Sequence, residues 1–145
     1  MARKRHLSRI AVMQALFEHE RRHCDELEAL ERNAAELGEV DQEFAQSLLM
    51  GVAEKETALK EAVQVHAPGW SLERMDPISR CVLMVGAYEL LFLKEAPPAV
   101  IMNEAIEIAK EYGTSESGKF VNGVLNAIAQ GIGVQSEGRE RSEKK

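Results

Sequence analysis

A chain of 145 residues, 45% of them apolar, is long enough to bury a core without metal or disulfide staples. Its net charge of −6 argues against a protein that coats nucleic acid over its whole surface, and leaves only local basic patches for such contact. Aromatics at 5% alongside abundant Ala, Leu and Glu argue against a strand-rich fold.

Met1–Ile10 carries Arg3, Lys4, Arg5, His6 and Arg9 and no acid. Leu7, Ile10, Met13, Gln14 and Phe17 recur at helical spacing, which predicts a first helix over about residues 5–22. A strongly acidic stretch, Glu18–Glu43, follows. Within it Leu27, Leu30, Ala34 and Leu37 stripe a short second helix that Gly38 ends. Asp41 caps a long helix reaching about residue 66, with Phe44, Leu48, Val52, Leu59 and Val63 inward. Gly51 inside that helix costs about 1 kcal/mol against Ala, which implies a close neighbour there.

Pro68-Gly69 breaks the chain and sets the boundary between two halves, residues 1–67 and 68–134. Ser71 caps a single turn over Leu72–Met75. Asp76-Pro77 starts a helix whose run Ile78–Leu93 is apolar on most faces, the mark of a central helix covered by others. Pro97-Pro98 separates it from a helix over Val100–Glu111, with Ile101, Ala105, Ile108 and Ala109 inward. A last helix runs from about Ser115 to Gln130, carrying Val121, Val124, Leu125 and Ile128 on one stripe. The remainder, residues 135–145, is charged, lacks large apolar side chains and is expected to be disordered. The predicted fold is all-α: two packed helical bundles with about seven helices.

Chemistry-bearing patterns are few. His19-Glu20-Arg21-Arg22-His23 matches the H-E-x-x-H of zinc-protease helices, but its charged flanks describe a solvated helix end, and a zinc site needs a third protein ligand. No metal site, cofactor or catalytic residue is therefore expected. Cys24 and Cys81 belong to no C-x-x-C pair and read as free thiols in a reducing compartment. Gly118-Lys119 lacks the spacing of a phosphate-binding loop, and no G-x-S-x-G elbow occurs. No apolar run reaches the ~20 residues of a membrane span, and no signal peptide is present, so a cytoplasmic location is expected.

The second half is specific. Arg80-Cys-Val-Leu83, Gly86-Ala-Tyr-Glu-Leu90, Val100-Ile-Met-Asn-Glu-Ala105 and Ser117-Gly-Lys-Phe-Val-Asn-Gly-Val-Leu125, at these separations, closely resemble the NusB family. The first half fits the same pattern through its basic start and Ala11-Val-Met-Gln-Ala-Leu-Phe17. The resemblance covers about Arg3 to Ile132, loosest in the acidic middle. It implies two helical bundles and a transcription antitermination factor without catalysis of its own. Such a factor binds the boxA segment of nascent ribosomal transcripts together with NusE, a small-subunit ribosomal protein, and supports processive elongation by RNA polymerase.

It also implies site residues. Arg3, Lys4, Arg5 and Arg9 match the family's arginine-rich start and would meet phosphates. Gln14 would reach a base edge. Phe17, where relatives often carry Tyr, keeps a stacking face without the hydroxyl. Lys119 and Phe120 would contact RNA at the start of the last helix, and Glu116 stands where the family carries an acid near it. Asn122 and Gly123 read as structural, Asn122 bonding a buried backbone group and Gly123 allowing close packing. Tyr88, Glu89, Asn103, Glu104 and Glu107 form the candidate NusE surface, where acids suit a basic partner. Ser79 departs from the family pattern, in which an acid is often found before Arg80. Two other readings stay open: a purely protein-binding helical module, and a zinc hydrolase built on His19 and His23. A homodimer also stays open.

Overall fold

The computed structural model describes the backbone of residues 2–144 and the side chains of residues 3–131. Among the described residues seven α-helices follow one another: α1 (Ala2–Arg22), α2 (Glu26–Leu37), α3 (Gln42–Glu54), α4 (Glu56–Val65), α5 (Pro77–Tyr88), α6 (Pro98–Tyr112) and α7 (Ser115–Lys144). A 3₁₀ turn at Leu72–Arg74 precedes α5, and a π-helical turn, Glu89–Leu93, extends it. No strand occurs among the described residues. The last helix, foreseen to end near Gln130, carries on to Lys144 through the stretch foreseen as a disordered tail, whose side chains lie outside those described.

The helix ends follow from their capping residues. Asp25 and Asp41 accept the backbone N–H groups of Glu28 and Phe44, each at 3.0 Å, and so start α2 and α3. Gly38 ends α2 at φ +102°, a conformation other residues reach only with strain. Asp76 caps α5 with Pro77 in the first helical position. The long helix expected from Asp41 to His66 is instead two, α3 and α4, divided at Lys55. The Lys55 N–H still bonds the Gly51 carbonyl at 3.0 Å, so the chain bends without leaving the helical path.

Two interiors form. The smaller joins Ala11, Val12 and Ala15 of α1 to Ala29, Leu30 and Ala34 of α2 and to Phe44, Ala45, Leu48 and Leu49 of α3. The larger surrounds α5, where Val82 and Leu83 meet Ile101, Ala105 and Ile108 of α6 and Val121, Val124 and Leu125 of α7. It also takes Ile10 and Met13 from α1, Val52 from α3, and Leu59 and Val63 from α4, so this interior crosses the Pro68-Gly69 break. Each fully buried Leu or Ile adds roughly 1.5–3 kcal/mol by leaving water. As expected, α5 is the central helix, packed against α1, α3, α4, α6 and α7.

α1 is buried on more faces than its large side chains suggest, because Ala11, Val12 and Ala15 are wholly buried beside Ile10 and Met13. Its small side chains let α2 and α3 approach closely. Buried Ser8 ties the loop before α3 to it, accepting the Asp41 N–H at 2.8 Å and donating to the Lys4 carbonyl at 2.6 Å. Glu18 anchors the other end through Arg32 (2.7 Å) and then Asn33, whose hydrogen bonds hold its carboxyl below the usual carboxylate range. Gly51 has the close neighbour its position implied: the Tyr88 ring lies where a β-carbon would project. Gly123 does not; it is exposed with nothing against it, and Asn122 is exposed as well, so both expected structural roles fail. Gly86 makes the close approach instead, to Leu125 of α7.

Candidate nucleic-acid interface

α1 and α5 run antiparallel. Arg9 on α1 meets Glu89 just beyond the end of α5, and Glu20 near the end of α1 pairs with Arg80 near the start of α5. Arg80 also donates from Nη1 to the carbonyls of Leu72 (2.6 Å) and Met75 (3.1 Å), which fixes the 3₁₀ turn. The start of α7 lies beside the start of α5, because Ser117 Oγ donates to Asp76 Oδ2 at 3.0 Å. The basic start of α1 and the Lys119–Phe120 start of α7 therefore stand at opposite ends of α5, about 20 Å apart at a 1.5 Å rise per residue.

The basic start does not act as one unit. Arg3 and Lys4 are exposed. Arg5 is partly committed: it pairs with Glu95 at 3.3 Å and lies over the Phe44 ring at 4.3 Å. Arg9 is a correction. It is 4% exposed, donates from Nε and Nη2 to the two Glu89 oxygens at 2.7 and 2.9 Å, and from Nη1 to Glu104 at 3.0 Å. Burial opposes its charge, but the hydrogen bonds and charge of Glu89, with Glu104 behind them, prevail and raise its pKa above the ordinary value. A guanidinium enclosed in this way has no face left for phosphate. Glu89 is corrected for the same reason: at 2% exposure it belongs to the interior and offers nothing to a partner.

His6 closes the same network, its Nδ1 lying 2.5 Å from Glu104 Oε2, and it is buried rather than presented with the arm. His6, Glu104 and Glu107 place one ligand atom each within 4.8 Å of one another, the cluster among the described residues that a metal ion would suit. Arg9 on Glu104 competes with a cation there. His19 and His23 do not form a zinc helix. His19 Nδ1 bonds the Cys24 carbonyl at 2.7 Å, Glu20 is held by Arg80, and His23 sits at φ +54° beyond the helix end.

Along α1, Arg3, Leu7, Ile10, Gln14, Phe17 and Arg21 fall within about 80° of one another at 100° per residue, with Ile10 buried among them. Gln14 and Phe17 are half-buried, and the Arg21 guanidinium lies over the Phe17 ring at 5.4 Å. This strip covers the distance between the two ends of α5. Arg21 was not among the residues read from sequence, although its i+4 spacing from Phe17 was visible.

At the far end an open groove of about 840 Å³ is lined by Trp70, Met75, Asp76, Ile78, Ser79, Tyr112, Gly113, Thr114, Glu116, Ser117, Lys119 and Phe120. Lys119 and Glu116 are mostly exposed and 3.5 Å apart, a pair worth little in water. Phe120 is half-buried and meets Trp70 edge-on, with ring centroids 5.4 Å apart. Trp70 is 52% exposed and was not singled out in the sequence, where being the one tryptophan, in a loop beside Pro68-Gly69, was its only signal. Buried Ser79 donates to Asp76 Oδ2 at 3.0 Å.

The candidate partner face divides as well. Asn103 and Glu107 are exposed on α6, while Glu104 is largely taken by His6 and Arg9. Tyr88 is half-buried over Gly51 and stacks on Phe92 at 5.9 Å. The π turn, closed by Lys94 at φ +55°, makes this arrangement possible: it points Glu89 inward to Arg9 and leaves Phe92 41% exposed.

Fold and surface together define an all-helical protein in which one long helix closes two interiors and carries a basic start to the surface. The chain belongs to the NusB family, which it matches over residues 6–130. It is 39% identical over 125 residues to the transcription antitermination protein NusB of Bacillus cereus (strain B4264), covering 86% of this chain and 96% of that protein. A structure of T. maritima NusB superposes with a TM-score of 0.74 at 41% identity, covering 87% of this chain and 90% of that one. A chain in a crystal structure of the antitermination factors NusB and NusE in complex with dsRNA superposes with a TM-score of 0.81 at 26% identity, covering 90% of this chain and 99% of that one.

Proposed function

We propose that this chain is a transcription antitermination factor that binds boxA-type single-stranded RNA of nascent ribosomal transcripts together with NusE. In the elongation complex it supports processive RNA polymerase. The observation that carries the reading is family membership along nearly the whole chain, with relatives named as antitermination proteins. The geometry supports it: Arg3 and Lys4 are free for phosphates, and the Gln14–Phe17–Arg21 strip leads from them toward the Lys119–Phe120 groove. Asn103 and Glu107, exposed on α6, offer polar and acidic groups to a basic partner, and half-buried Tyr88 offers a separate aromatic contact. No residue is assigned a catalytic role. No helix among the described residues is long and apolar enough to cross a membrane, and a cytoplasmic location suits a partner of RNA polymerase.

The test is a titration of boxA-type RNA with and without NusE over a salt series. Binding is expected to be modest alone and tighter with NusE, because two proteins sharing one RNA raise each other's effective concentration. Equal binding of scrambled RNA, with no gain from NusE, sinks the reading and favours a purely protein-binding module.

A further inference from the structure

We propose that the groove beside Trp70 holds one unstacked nucleobase that carries an exocyclic amino group, with the indole as its stacking platform and Glu116 reading its edge. The proposal rests on the RNA-binding function above and extends it to a specific subsite.

Trp70 is held in place on its loop. Its N–H bonds the Ala67 carbonyl at 3.1 Å, and its own carbonyl accepts from Gln64 Nε2. Gln64 Oε1 in turn accepts the Leu72 N–H at 3.2 Å, so one side chain of α4 staples both sides of the tryptophan. Phe120 supports the indole edge-on. What remains open is the groove, which is roomy enough to take a base against the indole. A flat apolar surface that is already ordered binds a base without a further ordering cost.

The walls then select what enters. The groove holds one cation, Lys119, against two carboxylates, Asp76 and Glu116. That balance rejects a phosphate cluster, so the base goes in and the backbone stays at the rim beside Lys119. Carboxylates only accept hydrogen bonds. Asp76 Oδ2 already receives the hydroxyls of Ser79 and Ser117, each at 3.0 Å, whereas Glu116 is held only by Lys119 at 3.5 Å. A base must therefore present donors to Glu116. Guanine offers N1–H and its amino group side by side; cytosine and adenine offer one amino group. Uracil offers a single N–H flanked by two carbonyls that repel a carboxylate.

Trp70 is the only tryptophan, so its fluorescence reports on the groove alone. The full chain is titrated with fluorescein-labelled boxA-type RNA, following RNA anisotropy and tryptophan emission together. Quenching is expected to track binding. Trp70→Ala should weaken binding roughly 5- to 150-fold, the range for losing one base stack, and Trp70→Phe should restore most of it. Circular dichroism confirms that each variant is folded. Scanning the RNA with abasic positions should find one site whose loss hurts the wild type and leaves Trp70→Ala unaffected. At that site an amino-bearing base should outbind uracil, and Glu116→Gln should erase the difference. RNA that raises anisotropy while emission and the Trp70→Ala affinity stay unchanged overturns the subsite and leaves RNA binding intact. No anisotropy change, with or without NusE, overturns the function beneath it.

Discussion

Replacing Arg9 by Met tests the assignment of this residue to the interior. The substitution keeps the side-chain length and removes the cation, which leaves Glu89, with a side chain only 3% exposed, without its two hydrogen bonds. Glu104 keeps His6. Stranding one member of a buried ion pair costs about 3–5 kcal/mol, against a total stability of about 5–15 kcal/mol. For a chain of this size the loss lowers Tm on the order of 10–20 °C, and it lowers the urea midpoint by about 2 M at a slope of about 2 kcal/mol/M. Burial without a partner favours the protonated acid, so the deficit should shrink as pH falls from about 8 to about 5. Arg9→Met/Glu89→Leu should recover most of the loss, since an apolar pair of similar volume replaces a buried ion pair at little cost. In parallel, the salt slope of RNA binding should be unchanged in the folded single variant. An Arg9→Met protein that unfolds at the wild-type urea concentration, and whose slope falls by about 0.7, the value for one phosphate contact on a single strand, refutes the reasoning and returns Arg9 to the RNA-binding arm.

Arg3→Gln/Lys4→Gln should leave the urea midpoint unchanged and flatten the salt slope by about 1.4, two single-strand phosphate contacts, in the same titration. Gly51→Ala should destabilise by about 1–3 kcal/mol in thermal unfolding, because the new methyl enters the Tyr88 ring. In a Tyr88→Ala background the same change should stabilise, by up to about 1 kcal/mol of helix propensity. Ellman's reagent should find only Cys24 in the native protein near pH 8. Cys81 is 2% exposed and burial pushes its thiol up to about 12, so it reacts only after denaturation.

Local signals in the sequence carried most of the fold. Asp41, Asp76-Pro77, Gly38 and Pro97-Pro98 act through their own backbone neighbours, so they mark helix ends wherever the helices go. The burial of α1 was less legible, since Ala11 and Ala15 carry little hydrophobic signal and yet face the smaller interior. The basic arm was misread in one member. Arg9 looks like its exposed neighbours in composition, but at 100° per residue it lies between Met13 and Leu16, on the side that meets α5. Its partner Glu89 could not be found from spacing, because an ion pair across 80 residues depends on how two helices cross. The π turn was hidden for a related reason: one extra residue in a turn leaves the apolar pattern almost intact while redirecting Glu89 and Phe92. Phe120 was legible through resemblance, whereas Trp70 needed the fold, because Gln64 of α4 holds its loop and the contact with Phe120 of α7 spans 50 residues.

A helix that serves two interiors couples their fates. Because Ile10 and Met13 enter one while Ala11, Val12 and Ala15 enter the other, neither can open while α1 remains in place. Hydrogen exchange should therefore find the slowest amides of α1 and α5 leaving together, with one opening free energy for both. The strip proposed for RNA lies on that same helix. A strand bound there raises the opening free energy of the whole protein by RT ln(1 + [RNA]/Kd), so occupancy at the surface is felt as slower exchange deep in both halves.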